Sequence, residues 1–272
     1  MVKPVTRSIT HLINNPSSPS QSAPKIPFPS RKIRKPPTKN SCTKPSTVTV
    51  SSILSVTKTL SVKGEIDLAL DHLRSSDPLL ATLLDTHKPP TYDSQDLPFL
   101  SLAKSIIYQQ LATKAATSIY SRFIALCGGE SQVNPANVLS LSAQQLREIG
   151  VSGRKASYLH DLAEKYKSGL LSDLSILEMS DDELLSSLTA VKGIGVWSVH
   201  MFMMSSLHRP DVLPVGDLGV RKGVQTLYGL KDLPQALQME EICEKWRPYR
   251  TVGSWYMWRL MDAKAGNKEA KS

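Results

Sequence analysis

The run Leu213-Pro214-Val215-Gly216-Asp217 leads into a helical stretch from Leu218 to Leu227, and Asp217 falls where an N-cap would sit. A carboxylate there faces the positive end of the helix dipole. Turned toward a pocket, it suits the stabilisation of a cation that develops during a reaction. Turned away, it is an ordinary cap. Twenty-two residues earlier, Leu188-Thr189-Ala190-Val191-Lys192-Gly193-Ile194-Gly195 reads as the end of a short helix and a sharp hairpin. A new helix follows from Val196. Two glycines allow the backbone to turn and to approach a ligand closely. Ile194 can plug the hairpin into a core. The N–H groups opening the next helix then face outward, where a phosphate can sit. A helical corner with no ligand has the same local sequence. Gly216 leaves Asp217 as the only carboxylate of its turn.

These two pieces need a scaffold, and from Glu65 onward the chain reads as helices. Ile66, Leu68, Leu70 and Leu73 open one, and Leu79, Leu80, Leu83 and Leu84 mark a second. Pro89 to Pro98 is a loop. Helices are expected over Leu100 to Gln110, Thr113 to Cys127, Ser152 to Lys167 and Tyr249 to Ala265, from apolar positions at helical spacing. Ser142 with Gln145, and Ser180 with Glu183, are capping-box signatures. No strand period competes and no repeat is found, so the expected fold class is all-α.

Charge divides the chain. Of its 272 residues 33 are basic and 24 acidic, a formal charge of +9. The first acid is Glu65, so residues 1–64 with eight Lys and three Arg carry +11, and the remainder carries −2. Nine of the 18 prolines precede residue 46. A segment of this composition buries too little apolar surface to offset its ordering entropy. Residues 1–62 are therefore expected to form a disordered basic Pro/Ser-rich tail, and 63–268 a helical domain with its hairpin at 191–195. Arg31-Lys32-Ile33-Arg34-Lys35 is of the nuclear-localisation type, which makes the nucleus the expected location. The acid-free, Ser-rich start also suits organellar import. A linker or a DNA-binding arm are further readings of the tail. No run of about 18 apolar residues exists to span a membrane. Three well-separated cysteines, Cys42, Cys127 and Cys243, exclude a four-cysteine metal or iron–sulfur site, and no metal is expected.

Taken in order, the motifs resemble the helix-hairpin-helix DNA glycosylase superfamily, and within it the alkylated-base branch, DNA-3-methyladenine glycosylase II. The resemblance covers roughly residues 95–262. Besides the hairpin and Asp217 it rests on Ile107-Tyr108-Gln109-Gln110-Leu111, on Gly150-Val151-Ser152 with Lys155-Ala156 and Leu159, and on Trp246-Arg247-Pro248-Tyr249-Arg250 with Trp258. It implies a two-lobed helical fold and hydrolysis of the N-glycosidic bond of alkylated purines, flipped out of damaged double-stranded DNA. Asp217 then takes the catalytic position. Trp197 and Trp258 match aromatic positions of the base pocket, with Tyr108, Trp255 and Tyr256 as weaker candidates. Met201 and Leu218 stand where the well-known bacterial enzyme has tyrosines, which makes this pocket less aromatic. Leu111 matches the wedge that fills the gap left by the flipped base. Gln109 and Gln110 are placed to meet base edges or the opposite strand. The hairpin residues Lys192, Gly193, Ile194 and Gly195, and Arg221 with Lys222 nearby, are the expected DNA-binding residues.

The resemblance also sets limits on the chemistry. Bifunctional members such as endonuclease III have a Lys two positions after the second hairpin glycine, which forms a Schiff base with the sugar. Trp197 occupies that position here. An indole cannot be that nucleophile, so a monofunctional enzyme is expected. No cofactor is required, although family members bind a monovalent cation through hairpin carbonyls, here those near Val191 and Gly193. A monomer is the simple expectation. The competing readings are a non-catalytic helix-hairpin-helix DNA-binding protein and a glycosylase-lyase for oxidised bases.

Overall fold

The computed structural model describes residues 59–92 and 96–269, with side chains as far as Lys264. The basic segment with its Arg31–Lys35 cluster lies outside the described residues. Those described are helical, with no strand among them. Thirteen α-helices succeed one another: α1 (Glu65–Ser76), α2 (Pro78–Thr86), α3 (Pro98–Tyr108), α4 (Thr113–Cys127), α5 (Pro135–Ser140), α6 (Ala143–Glu148), α7 (Gly153–Lys167), α8 (Asp173–Glu178), α9 (Asp181–Thr189), α10 (Val196–Ser205), α11 (Leu218–Leu227), α12 (Ala236–Cys243) and α13 (Arg250–Glu269). Single 3-10 turns at Glu130–Gln132 and Glu244–Trp246 complete the path.

Two cores divide these helices into lobes. One gathers apolar residues from α3 to α10, among them Ile106, Phe123, Leu159, Leu188, Ile194 and Phe202. The other joins both ends of the described chain: Leu60, α1 and α2 pack with α11, α12 and α13 around Trp246, Val252 and Tyr256. Trp258 packs against both cores. The folded domain also begins earlier than the expected boundary at residue 63. Leu60 is buried, and its N–H donates to the His208 carbonyl at 2.9 Å. One leucine in a Ser/Thr-rich stretch carries no periodicity, so the sequence gives no sign of it.

Local chemistry explains most helix starts. The capping boxes at Ser142 with Gln145 and at Ser180 with Glu183 are both formed. A third, at Ser172 with Ser175, opens the six-residue helix α8. α3 stops at Tyr108, two residues short of its expected end, and Gln110 then takes a left-handed φ of 56°. At the other extreme α13 runs to Glu269, four residues past expectation.

A buried carboxylate holds the second lobe together. Asp77 is fully buried and caps α2 by accepting from Leu79 N at 3.2 Å. It also accepts from Trp246 Nε1 at 2.8 Å and from the Tyr228 hydroxyl, with Lys245 Nζ at 3.4 Å. The loop into α11 is pinned separately. Arg250 Nε meets Asp211 Oδ1 at 2.6 Å, and Thr251 Oγ1 accepts from Val212 N at 3.0 Å while donating to the Arg209 carbonyl at 2.6 Å.

Two histidines give the fold a pH dependence. Burial holds the imidazoles of His200 and His208 below the ordinary histidine range. Above about pH 6.5 both are neutral, folded or unfolded. Below it the unfolded chain takes up protons first, so stability falls with pH until the folded side chains also protonate. The urea midpoint is expected to be lower at pH 5.5 than at pH 7.5. His208→Asn, which tolerates the left-handed φ of 54° at this position, should flatten that difference. An equally steep dependence in the variant would remove His208 from this account.

Candidate active site

The site lies where the two lobes meet, and Asp217 is its centre. As expected, Asp217 caps α11: its Oδ1 accepts from Val220 N at 2.8 Å. The same oxygen accepts from Trp258 Nε1 at 2.9 Å, and Oδ2 accepts from Trp197 Nε1 at 2.8 Å. The carboxylate is thus held by one backbone amide and two indoles. Gly219 makes room for this. A Cβ there would stand 2.8 Å from Trp258 Cδ1 and 3.1 Å from Asp217 Oδ1, so any side chain would push the indole away.

Trp258 also lines a cavity of about 270 Å³. Its walls include Tyr92, Met201, Met204, His208, Trp255 and Trp258. A second cavity of about 380 Å³ shares Met201 and Ser205 with it and takes in Lys104, Ser105 and Tyr108. The five side chains expected to line one base pocket are therefore not gathered in one place. Met201 and Trp258 line the first cavity, and Tyr108 faces the second. Trp197 and Leu218 line neither, and both are exposed on the first turns of their helices. Of the weaker candidates, Trp255 lines the first cavity while Tyr256 is fully buried in the second core.

Sequence reasoning missed Tyr92, Met204 and His208. Met204 follows Met201 by three residues, on the same face of α10, so helical spacing was a usable signal. His208 lies past the end of α10 and Tyr92 on the loop after Pro90, where nothing local pointed inward. The His208 imidazole lies 4.9 Å from the Tyr92 ring, and its Nδ1 is buried without a hydrogen-bond partner.

The hairpin forms as expected. α9 ends at Thr189, α10 begins at Val196, and Ile194 is buried. Gly193 has a φ of 79°, and a Cβ there would stand 2.1 Å from Tyr158 Cδ2. Lys192 and Gly195 are exposed. The Lys192 backbone N–H donates to Asp161 Oδ2 at 2.9 Å, with its Nζ 3.4 Å from Asp161 Oδ1. Gly193→Ala adds a left-handed strain of about 1–2 kcal/mol to a clash with the Tyr158 ring. A hairpin that relaxes to relieve them must be strained again on binding, which should cost about tenfold in duplex affinity. Fluorescence anisotropy at fixed salt measures this, and an unchanged affinity would count against the hairpin as a DNA grip.

The expected wedge is tied to the hairpin from behind. Lys155 Nζ donates to the carbonyls of Ile107 at 2.8 Å and Gln109 at 2.6 Å, which ends α3 and aims the following loop. Burial lowers the pKa of this lysine. The Gln109 side chain does not reach outward. Its Nε2 donates to the Gly193 carbonyl at 2.9 Å, joining the loop to the hairpin. Leu111 is 37% exposed, and Gln110 beside it shares a cavity with Leu111, Arg154 and Gly193. Arg221 is half-buried and donates from Nε to the Pro234 carbonyl at 2.9 Å, so part of its guanidinium is spent on the protein.

Both carbonyls nominated for a monovalent cation already accept an internal hydrogen bond: Val191 from Ile194 N at 3.2 Å and Gly193 from Gln109. Each keeps one lone pair, so a cation there would share them. Among the described residues no three His, Cys, Asp or Glu side chains cluster as metal ligands. No described helix is long and apolar enough to cross a membrane.

Residues 103–248 match the family described as HhH-GPD superfamily base excision DNA repair protein. DNA-3-methyladenine glycosylase of Saccharomyces cerevisiae is 30% identical over 246 residues, covering 72% of this chain and 80% of that one. The crystal structure of DNA-3-methyladenine glycosidase from Bacillus halodurans matches with a TM-score of 0.65 at 34% identity, over 73% of this chain and 91% of that one. The Schizosaccharomyces pombe 3-methyladenine DNA glycosylase in complex with abasic DNA matches with a TM-score of 0.61 at 31% identity, over 71% of this chain and 95% of that one.

Proposed function

Since the chain belongs to the HhH-GPD superfamily of base excision DNA repair proteins, we propose that it is a monofunctional DNA glycosylase for alkylated purines of the 3-methyladenine and 7-methylguanine type. The observation that carries this reading is the Asp217 carboxylate, held at the N-terminus of α11 beside an aromatic cavity that begins at Trp258. The relatives' names supply the substrate class, and the DNA complex of the fission-yeast enzyme supports DNA as the partner.

The residues define a reaction. A damaged nucleotide leaves the stack at a cost of a few kcal/mol, and Leu111 enters the gap. The base enters the cavity between Tyr92, Trp255 and Trp258. There the cation of an alkylated purine gains about 0.5–2 kcal/mol per aromatic face. Burial keeps His208 neutral at this wall, so it adds no positive charge against such a base. The bond from C1′ to the base nitrogen breaks, and its electron pair leaves with the base. The sugar carries oxocarbenium charge, which Asp217 stabilises. Water adds to C1′, its proton passes to Asp217 or solvent, and the products are free base and an abasic site. The alkylated base is already a good leaving group, so the cavity needs no strong acid. Trp197 at the position of the lyase lysine leaves water as the nucleophile. The reaction needs no metal, and the backbone grip at the hairpin is independent of sequence.

The test is incubation of the full chain with duplex DNA holding 7-methylguanine or 3-methyladenine. Free base is expected, with strands intact until alkali is added. DNA binding without base release would favour a non-catalytic binding protein. Strand cleavage without alkali, with a borohydride-trapped adduct, would favour a glycosylase-lyase. For delivery we propose nuclear import through Arg31–Lys35, with organellar import as the alternative, and tail fusions to a fluorescent protein separate them.

A further inference from the structure

We infer that Trp197 and Trp258 act as positioning residues, holding the Asp217 carboxylate through their indole N–H groups so that one face of Oδ2 is left as its working position. This inference rests on the reaction proposed above. A carboxylate offers about four lone-pair sites. On Oδ1 both are taken, by Val220 N and Trp258 Nε1. On Oδ2 one is taken, by Trp197 Nε1. The site that remains is where a water or the sugar cation can meet the anion.

The arrangement has the marks of a built contact. Glycine at position 219 is what allows Trp258 to close on Oδ1, since any Cβ would crowd both the indole and the carboxylate. Trp197 is 52% exposed and lines neither cavity, so core packing does not explain its place. Its ring is held at the surface with its one donor turned to Asp217. Trp197 also sits on the first turn of α10, two residues past Gly195. A phosphate seated on the hairpin would fix that turn, and through Trp197 it would fix the carboxylate. Grip on the backbone and aim of the anion are then one mechanical unit. In this role Trp197 is not a wall of the base pocket, although its position in the chain suggests one. Trp258 serves both purposes, lining the cavity and donating its N–H to Asp217.

Two measurements on the full chain test this. The protein has four tryptophans, so indole ¹⁵N labelling yields four N–H signals. Asp217→Asn should move the two that Trp197→Phe and Trp258→Phe remove. It should leave those of Trp246, bonded to Asp77, and of Trp255 in place. In single-turnover base release, Trp197→Phe should lower the rate constant about tenfold, the scale of one hydrogen bond to a charged group. The half-saturating enzyme concentration and the melting temperature should be unchanged. Unmoved indole signals would overturn the inference. So would a Trp197→Phe variant with a wild-type rate constant, or one whose whole loss lies in half-saturation, the mark of a DNA or base contact. If the wild type releases no base, the proposed reaction fails, and the indole shifts alone decide the clamp.

Discussion

Asp217→Asn is expected to lower base release from methylated duplex DNA by about 10³-fold, the scale of removing a preorganised electrostatic stabiliser. The amide is nearly the same size and still caps α11, because its oxygen can accept from Val220 N and Trp258 Nε1. Two things change. The negative charge facing the developing sugar cation is lost. The amide nitrogen also meets the Trp197 N–H, donor against donor, where Oδ2 accepted at 2.8 Å. Both changes leave the hairpin's own backbone groups and Lys192 in place, so duplex affinity should stay within about twofold, because the phosphate backbone supplies most of it. Single-turnover release of radiolabelled 7-methylguanine, beside anisotropy on the same duplex, gives both numbers. A variant that keeps a tenth or more of the wild-type rate would remove Asp217 from the chemistry.

The second large effect concerns stability. Asp77→Ala is expected to destabilise the domain by about 3–5 kcal/mol, the cost of removing one partner from a buried, hydrogen-bonded charge. The truncation leaves Trp246 Nε1 and the Tyr228 hydroxyl without their acceptor in the second core and removes the cap of α2. Lys245 is partly exposed and can turn to water, so its share is small. For a domain of this size the loss amounts to a fall of roughly 10 °C in melting temperature. Asp77→Asn keeps acceptors for the indole and the cap, so it should fall between the two. At low temperature the folded fraction of Asp77→Ala should still release base, because Asp77 takes no part in the Asp217 cluster. A melting temperature within about 2 °C of wild type would show that the second lobe does not depend on this carboxylate.

These two aspartates show what could be read from the sequence. Both are helix N-caps. At Asp217 the Pro/Gly turn and the helical stretch after it announced the cap, and the hairpin upstream gave it a context. At Asp77 the sequence Asp-Pro holds a comparable signal. Its partners Tyr228 and Trp246 lie 151 and 169 residues away, beyond any periodicity.

Residue order alone reveals what is local. It placed the capping boxes at Ser142 and Ser180, the turn through Gly193, Ile194 and Gly195, the helical class and the cap at Asp217, because each depends on backbone groups within a few residues. Which side chains share a space follows instead from the packing of distant helices. Trp197 and Trp258 lie 20 and 41 residues from Asp217. Trp258 meets it because α13 packs on α11 within the second lobe, and Trp197 because α10 of the first lobe comes up to the same turn. The same packing put Tyr92 and His208 on the cavity wall, left Trp197 and Leu218 outside it, and turned Gln109 back onto the hairpin. Helical periodicity tells which face of a helix is buried, but not which other helix it meets or where a terminal N–H points. Those follow from how the lobes pack.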